Sequence, residues 1–210
     1  GAVLSALQDF DAALVSLQRA AQLAPNDLGI LANLARCFKN AGRIEESRQI
    51  WREALARDPG SPAALYGNHL TLPALHEQQD DIAKAREGFV VGLDIVERSL
   101  DLSTAKRVLE AVSTIQSTTN FYLHYQGHND LELQRRWGAL LTRITHAAFP
   151  QFANPISPRQ RAPGERIKVG FISSYSRLHS IYKTHGHFIE RLNPQRFESY
   201  TFHLGAHCDE

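Results

Sequence analysis

Two stretches of this 210-residue chain repeat each other. Laying "DFDAALVSLQRAAQLAPND" over "RIEESRQIWREALARDPGS" pairs Phe10 with Ile44, Ala13 with Ser47, Leu17 with Trp51, Ala20 with Ala54 and Pro25 with Pro59, each pair 34 residues apart. A period of that size constrains the fold strongly, because one such unit cannot bury its apolar face alone and must stack on its neighbours. Between the two stretches, "LANLARCFKNAGRIEES" supplies Leu31, Leu34, Ala35, Phe38 and Gly42 at first-helix positions. Small Ala35 and Ala54 let antiparallel helices approach closely, larger residues fill the groove of the next pair, and Gly42 and Pro59 punctuate the turns. Asn33 differs from its packing neighbours: it sits on the inner helix toward the concave side, where a carboxamide pairs with the N–H and C=O of a peptide backbone. A solvated or intra-repeat role is the alternative for such a side chain.

This pattern resembles the tetratricopeptide repeat. Gly1 falls at the small position inside a first helix, so the opening repeat of residues 1–61 is expected to be truncated, with further repeats upstream. The sequence contains no methionine, which makes it an expected piece of a longer protein.

From residue 62 to 149 the rhythm degenerates while helical periodicity persists. "DDIAKAREGFVVGLDIVERSL" sets Ile82, Ala85, Phe89, Leu93, Val96 and Leu100 on one stripe, and "LSTAKRVLEAVSTI" does the same with Leu102, Ala105, Leu109, Val112 and Ile115. A third helix is predicted from Asn129 as N-cap, with Glu132 three residues on and a stripe of Leu133, Trp137, Leu140, Ile144 and Ala148. Between them "TNFYLHYQGHND" reads as a loop packed by Phe121, Tyr122 and Tyr125, with His124 and His128 in structural or solvated roles. Prolines at 150, 155, 158 and 163 then forbid helix and central strand, and residues 150–164 read as a linker.

Charge excludes some functions. A net charge of +1 gives no support for nucleic-acid binding, which needs a concentrated basic face. No apolar run approaches the ~20 residues that span a bilayer, and no signal pattern opens the chain. Cys37 and Cys208 have no metal-type spacing and read as free thiols in a reducing compartment, which makes the expected location cytoplasmic. Ten histidines raise the question of a metal enzyme, but His185 and His187 diverge on a helix, so no metal site is expected.

Residues 165–210 change character. Ile167, Val169, Phe171 and Ile172 form a short apolar run, typical of a strand buried on both faces. "HSIYKTHGHFIERLN" follows with Ile181, His185, Phe188, Ile189 and Leu192 on one helical face, and "RFESYTFHLG" alternates Tyr200, Phe202 and Leu204 against polar residues. Strand, helix and strand make a βαβ unit with parallel strands. Ligands of open parallel sheets bind beyond the carboxyl ends of the strands, here the turn of residues 173–180, and a helix N-terminus there offers free N–H groups. His179 is therefore either a site residue or a turn residue. Gly170 stands alone, so a dinucleotide fingerprint is not supported.

The repeats, the "TNFYLHYQGHNDLELQRRWGALLTRI" block, the proline-rich linker and "RIKVGFISSYSRLHSIYKTHGHFIERLNPQRFESYTFHLGAHCDE" together resemble the protein O-linked N-acetylglucosamine transferase family, especially its bacterial members. The most specific features are the strand opening R-I-x-V-G-F-I-S, the turn with Arg177 and His179, and the later R-F-E; Ser180 after the histidine follows the bacterial style. The fold class implied is mainly α, a tetratricopeptide-repeat helical solenoid plus helical block, followed by the first βαβ of a Rossmann-like domain of GT-B type. The resemblance implies transfer of a sugar, N-acetylglucosamine in that family, from a UDP donor to Ser or Thr of acceptor proteins held in the repeat groove, without cofactor or metal. It implies that Asn33 and, from a degraded register, Asn68 contact the acceptor. His179 would do acid–base or positioning work, as an imidazole suits accepting a hydroxyl proton or hydrogen-bonding a phosphate. Lys183, one turn later, faces either the same pocket or solvent. The sequence holds only two strands of the catalytic region, so residues 1–210 alone are expected to be inactive. The competing expectation is a non-catalytic tetratricopeptide scaffold for protein–protein interaction. The oligomeric state is open.

Overall fold

The computed structural model describes residues 1–76, 78–174 and 179–205, which form two compact units, Gly1–Pro155 and Ile156–Glu210. Arg177 and Cys208 lie outside the described residues.

In the first unit, α1 (Ala2–Ala6), α2 (Phe10–Leu23), α3 (Leu28–Asn40), α4 (Ile44–Arg57), α5 (Pro62–His69), α6 (Gln79–Ser99), α7 (Ala105–Ser117) and α8 (Leu131–Ala148) follow one another. Consecutive helices from α1 to α6 pack as neighbours, as do α7 and α8, while α5 also meets α7 and α6 meets α8. The caps are local and repeat with the sequence. Asp27 starts α3 by accepting from the Gly29 and Ile30 N–H groups at 2.8 and 3.1 Å, and Ser61, one repeat later, accepts from Ala64 ahead of Pro62.

The turn between helices of a pair shows the repeat overriding residue preference. Gly42 has φ 79°, its N–H donates to Lys39 O, and the next N–H, of Arg43, donates to Phe38 O. In the preceding unit Gln8 has φ 62°, its N–H donates to Ser5 O, and that of Asp9 donates to Leu4 O. The same left-handed turn is made by glycine in one unit and by a residue with a strained Cβ in the other.

Two small cores fill the repeats. One joins Leu14, Leu17, Leu34, Cys37 and Phe38; the other joins Leu31, Ala35, Trp51, Ala54 and Ala64. The Cys37 thiol is free and buried. A larger core lies among α5–α8, where Tyr66, Phe89, Leu93, Val96, Leu123, Leu140 and Ile144 share one buried cluster with Trp137. The Trp137 ring meets Tyr66 edge-on at 5.6 Å and Phe89 at 6.3 Å between centroids.

Leu109 is 68% exposed: α7 packs on both α5 and α8, so its buried arc centres on Ala111 and Thr114, and Leu109 lies roughly 200° round the helix from Ala111. Ala105 is exposed as well. The segment Phe121–Gln126 is a 3₁₀ helix rather than an irregular loop, and it packs through buried Leu123 and Gln126; Phe121 and Tyr125 stack edge-on at 5.2 Å but stay exposed. The N-cap of α8 is Asp130 rather than Asn129, which lies one residue earlier and accepts from the Leu131 N–H; the Asp130 carboxylate makes no capping bond and is taken by Arg86 at 2.7 Å.

In the second unit β1 (Ile167–Ser173) and β2 (Phe197–His203) pair in parallel, from Ile167 opposite Phe197 to Ser173 opposite His203, with α9 (Ser180–Glu190) between them in sequence. β1 is not buried on both faces: its residues alternate between half-buried and exposed, and Ile172 is 66% exposed. On α9 the buried residue is Gly186, set against the Tyr182 ring, while Phe188 points outward. No described helix is long and apolar enough to cross a membrane.

Candidate functional site

Inner helices of the first unit leave a groove of about 730 Å³. Ala2 and Ser5 of α1, residues of α3 and α5, and Glu110, Thr114 and Ser117 of α7 line it, with Trp51 and Ala54 of α4 contributing apolar surface. Small side chains at Ala32, Ala54 and Ala63 keep the space open, for the same reason that they let the helices approach.

Along α3 a polar stripe faces this space. Asn33, Arg36, Lys39 and Asn40 recur at helical spacing, and all line the groove. The Asn33 carboxamide oxygen accepts from Arg36 Nη2 one turn on, so Asn33 combines a groove position with an intra-repeat hydrogen bond. Burial pushes the Lys39 ammonium below the usual lysine range. Sequence reasoning missed Lys39 and Arg36, although their spacing from Asn33 was the available signal.

Asn68 does not line the groove; its Nδ2 lies 3.2 Å from His69 Nε2. The residue 34 positions after Asn33 is Gly67, which does line it. A Cβ at Gly67 would stand 2.2 Å from Trp51 Cε2, so the bulk of Trp51 leaves no room there for a second asparagine. Burial, with Arg48 nearby, holds the neighbouring His69 below the usual imidazole range.

The far wall carries acids that are already engaged. Arg107 holds Asp58 through two bonds of 2.6 and 2.8 Å and reaches Glu110 at 3.0 Å, and its guanidinium keeps the Asp58 carboxyl below the usual carboxylate range.

His179 stands in the second unit as the N-cap of α9, half-buried, with extended backbone. Its Nδ1 accepts from the Ile181 N–H at 3.2 Å, so a neutral ring carries its proton on Nε2 and acts there as a donor. Lys183 follows on α9 and is exposed; its backbone N–H bonds His179 O in the first turn. Among the described residues no three His, Cys, Asp or Glu side chains converge as metal ligands.

Residues 4–67 match the tetratricopeptide-repeat family model. No curated protein matches the chain. Among solved structures it is similar to a mutant of the Thermobaculum terrenum O-GlcNAc transferase, at 18% identity and a TM-score of 0.45, over 96% of this chain and 35% of that one. The chain thus spans about a third of the length of that protein.

Proposed function

We propose that the groove of the first unit binds an extended segment of another protein, and that the full-length protein transfers a sugar from a UDP donor to a Ser or Thr hydroxyl of that captured acceptor. The carrying observation is the groove: a concave space of about 730 Å³ with a carboxamide and two cations along α3, suited to a backbone that offers N–H and C=O groups. On this reading residues 1–61 are repeats that hold the acceptor together with residues 62–149, residues 150–164 are a linker, and residues 165–210 open the catalytic half. Support for the transferase part comes from the parallel βαβ unit and from the motif carrying His179. The acceptor hydroxyl oxygen bonds the anomeric carbon as the bond from that carbon to the UDP oxygen breaks, and the hydroxyl proton passes to the departing diphosphate, with no metal or cofactor. His179 contributes as a donor from Nε2 to a phosphate oxygen, the role its Nδ1 bond to the Ile181 N–H favours over that of a base. Lys183 joins it at the diphosphate.

In the full-length protein, His179→Ala is expected to cut turnover or donor affinity about 100-fold while the protein stays folded. Unchanged kinetics would remove His179 from the site. Asn33→Ala is expected to weaken acceptor peptides and to leave UDP affinity alone; an effect on UDP instead would rule out the groove assignment. Residues 1–210 alone are expected to show no transfer.

One observation favours a second reading. Every described residue that lines the groove belongs to Gly1–Pro155, so among the described residues the βαβ unit contributes none to it. A non-catalytic scaffold would bind acceptor peptides equally well, and calorimetry of the full-length protein with UDP separates the two: binding supports the transferase, its absence the scaffold.

A further inference from the structure

We infer that the groove selects extended segments carrying an acidic side chain, Asp or Glu, which docks on Lys39 and Arg36. This rests on the reading of the groove as a peptide site and adds to it the chemistry of the occupant.

Arg36, Lys39, Asp58 and Glu110 line the groove. Both acids are spent: Asp58 on Arg107, and Glu110 on Arg107 with Lys106 at 3.8 Å. Neither cation of α3 has a carboxylate within ion-pair distance among the described residues; Arg36 donates only to the neutral Asn33 oxygen. Arg107 and Lys106 together balance the two acids, so the field left over in the groove is that of the α3 cations.

Position sharpens this. Lys39 lies in the last turn of α3, where the helix C-terminus favours a positive charge, yet it is half-buried and lines a second, small cavity with Thr71 and Thr118. The hydroxyls of those threonines already donate to Gly67 O and Thr114 O, each at 2.8 Å. An ammonium partly withdrawn from water without a counter-ion gains more from an arriving carboxylate than an exposed one does, because desolvation has already been incurred and screening is weaker. Asn33 and Asn40 flank the cations on the same stripe and offer the amide chemistry that a peptide backbone needs beside its acidic side chain.

The test is to pan a randomised peptide library against immobilised protein of residues 1–210 and sequence the binders, for the wild type and for Lys39→Met, Lys39→Arg and Asn33→Ala. The wild-type pool is expected to be enriched in Asp or Glu at one fixed position. That bias should vanish with Lys39→Met and survive Lys39→Arg. Fluorescence anisotropy on the best peptide should show Glu→Gln costing about tenfold in affinity for wild type and less than about twofold for Lys39→Met. Circular dichroism melts check that Lys39→Met, which removes a half-buried charge, remains folded. Binders without acidic bias, with affinity that falls in Asn33→Ala, would overturn the inference and keep the groove. No binders, or binders indifferent to Asn33→Ala, would overturn the groove reading and this inference with it. An acidic bias that persists in Lys39→Met would assign the selectivity elsewhere and overturn the inference alone.

Discussion

The two halves of the first unit hold themselves together differently. From α1 to α4 each helix touches its sequence neighbours, and the buried residues include pairs that the 34-residue period marks: Ala13 with Ser47, and Leu17 with Trp51. From α5 to α8 the chain builds one aromatic-centred core and ties distant segments with arginines. Arg86 on α6 reaches Asp130, the Gln126 side chain and the Asn129 carbonyl. Arg136 on α8 reaches Asp94 and Glu97 of α6 at 2.6 and 2.9 Å, and Arg107 reaches Asp58. A repeat needs only local complementarity, which any neighbouring copy supplies. Once the period is lost, register must be specified by particular long-range pairs, and these are partly buried charges whose partners cannot be exchanged.

The largest effect expected is on the α5–α8 core. Trp137→Ala should destabilise by about 3–5 kcal/mol in urea melts and strip hydrogen-exchange protection from α5–α8 first. Equal loss from α2 and α3 would mean that the two halves unfold as one and would break the comparison. Gly92→Ala comes next: a Cβ there would lie 2.1 Å from the His69 carbonyl oxygen, and backbone cannot step aside, so about 3 kcal/mol should be lost by separating α5 from α6.

Arg107→Met should cost about 1–2 kcal/mol near neutrality. Since Arg107 holds the folded Asp58 pKa below its unfolded value, that stabilisation is complete above about pH 4 and fades as pH falls through the lower, folded pKa. Stability curves of wild type and Arg107→Met are therefore expected to converge in acid; curves that stay parallel would deny Asp58 its part.

The smallest changes exchange residues between repeats. Ser47 is fully buried with no hydrogen-bond partner for its hydroxyl, where the other unit has Ala13. Ser47→Ala should gain about 1 kcal/mol, and Gln8→Gly, which imports the residue of Gly42, about 0.5–1 kcal/mol. Losses at either position would show the two units to be less equivalent than their turns imply.

The sequence was most informative where physics is local. The helix pairs, the turn at Gly42 and the stripes of α6 and α8 follow from spacing alone, because neighbours in the chain are also neighbours in the fold. Asn33 could be placed by the same reasoning, and so could Lys39 and Arg36 had the stripe been followed along α3. Asn68 could not: whether a residue 34 or 35 positions later reaches the groove depended on Trp51 filling the space before Gly67, a contact between elements that no period encodes. Tertiary packing alone also turned Leu109 outward and Thr114 inward, since α7 is held between two partners and its buried arc is set by both. It kept the carboxylate of Asp130, the N-cap residue of α8, from capping the helix and gave it to Arg86 across 44 residues, in place of a local hydrogen bond. Periodicity thus determined which segments are helices and which faces could be apolar. Which of those faces were covered, and by what, was decided only when distant surfaces met and excluded water.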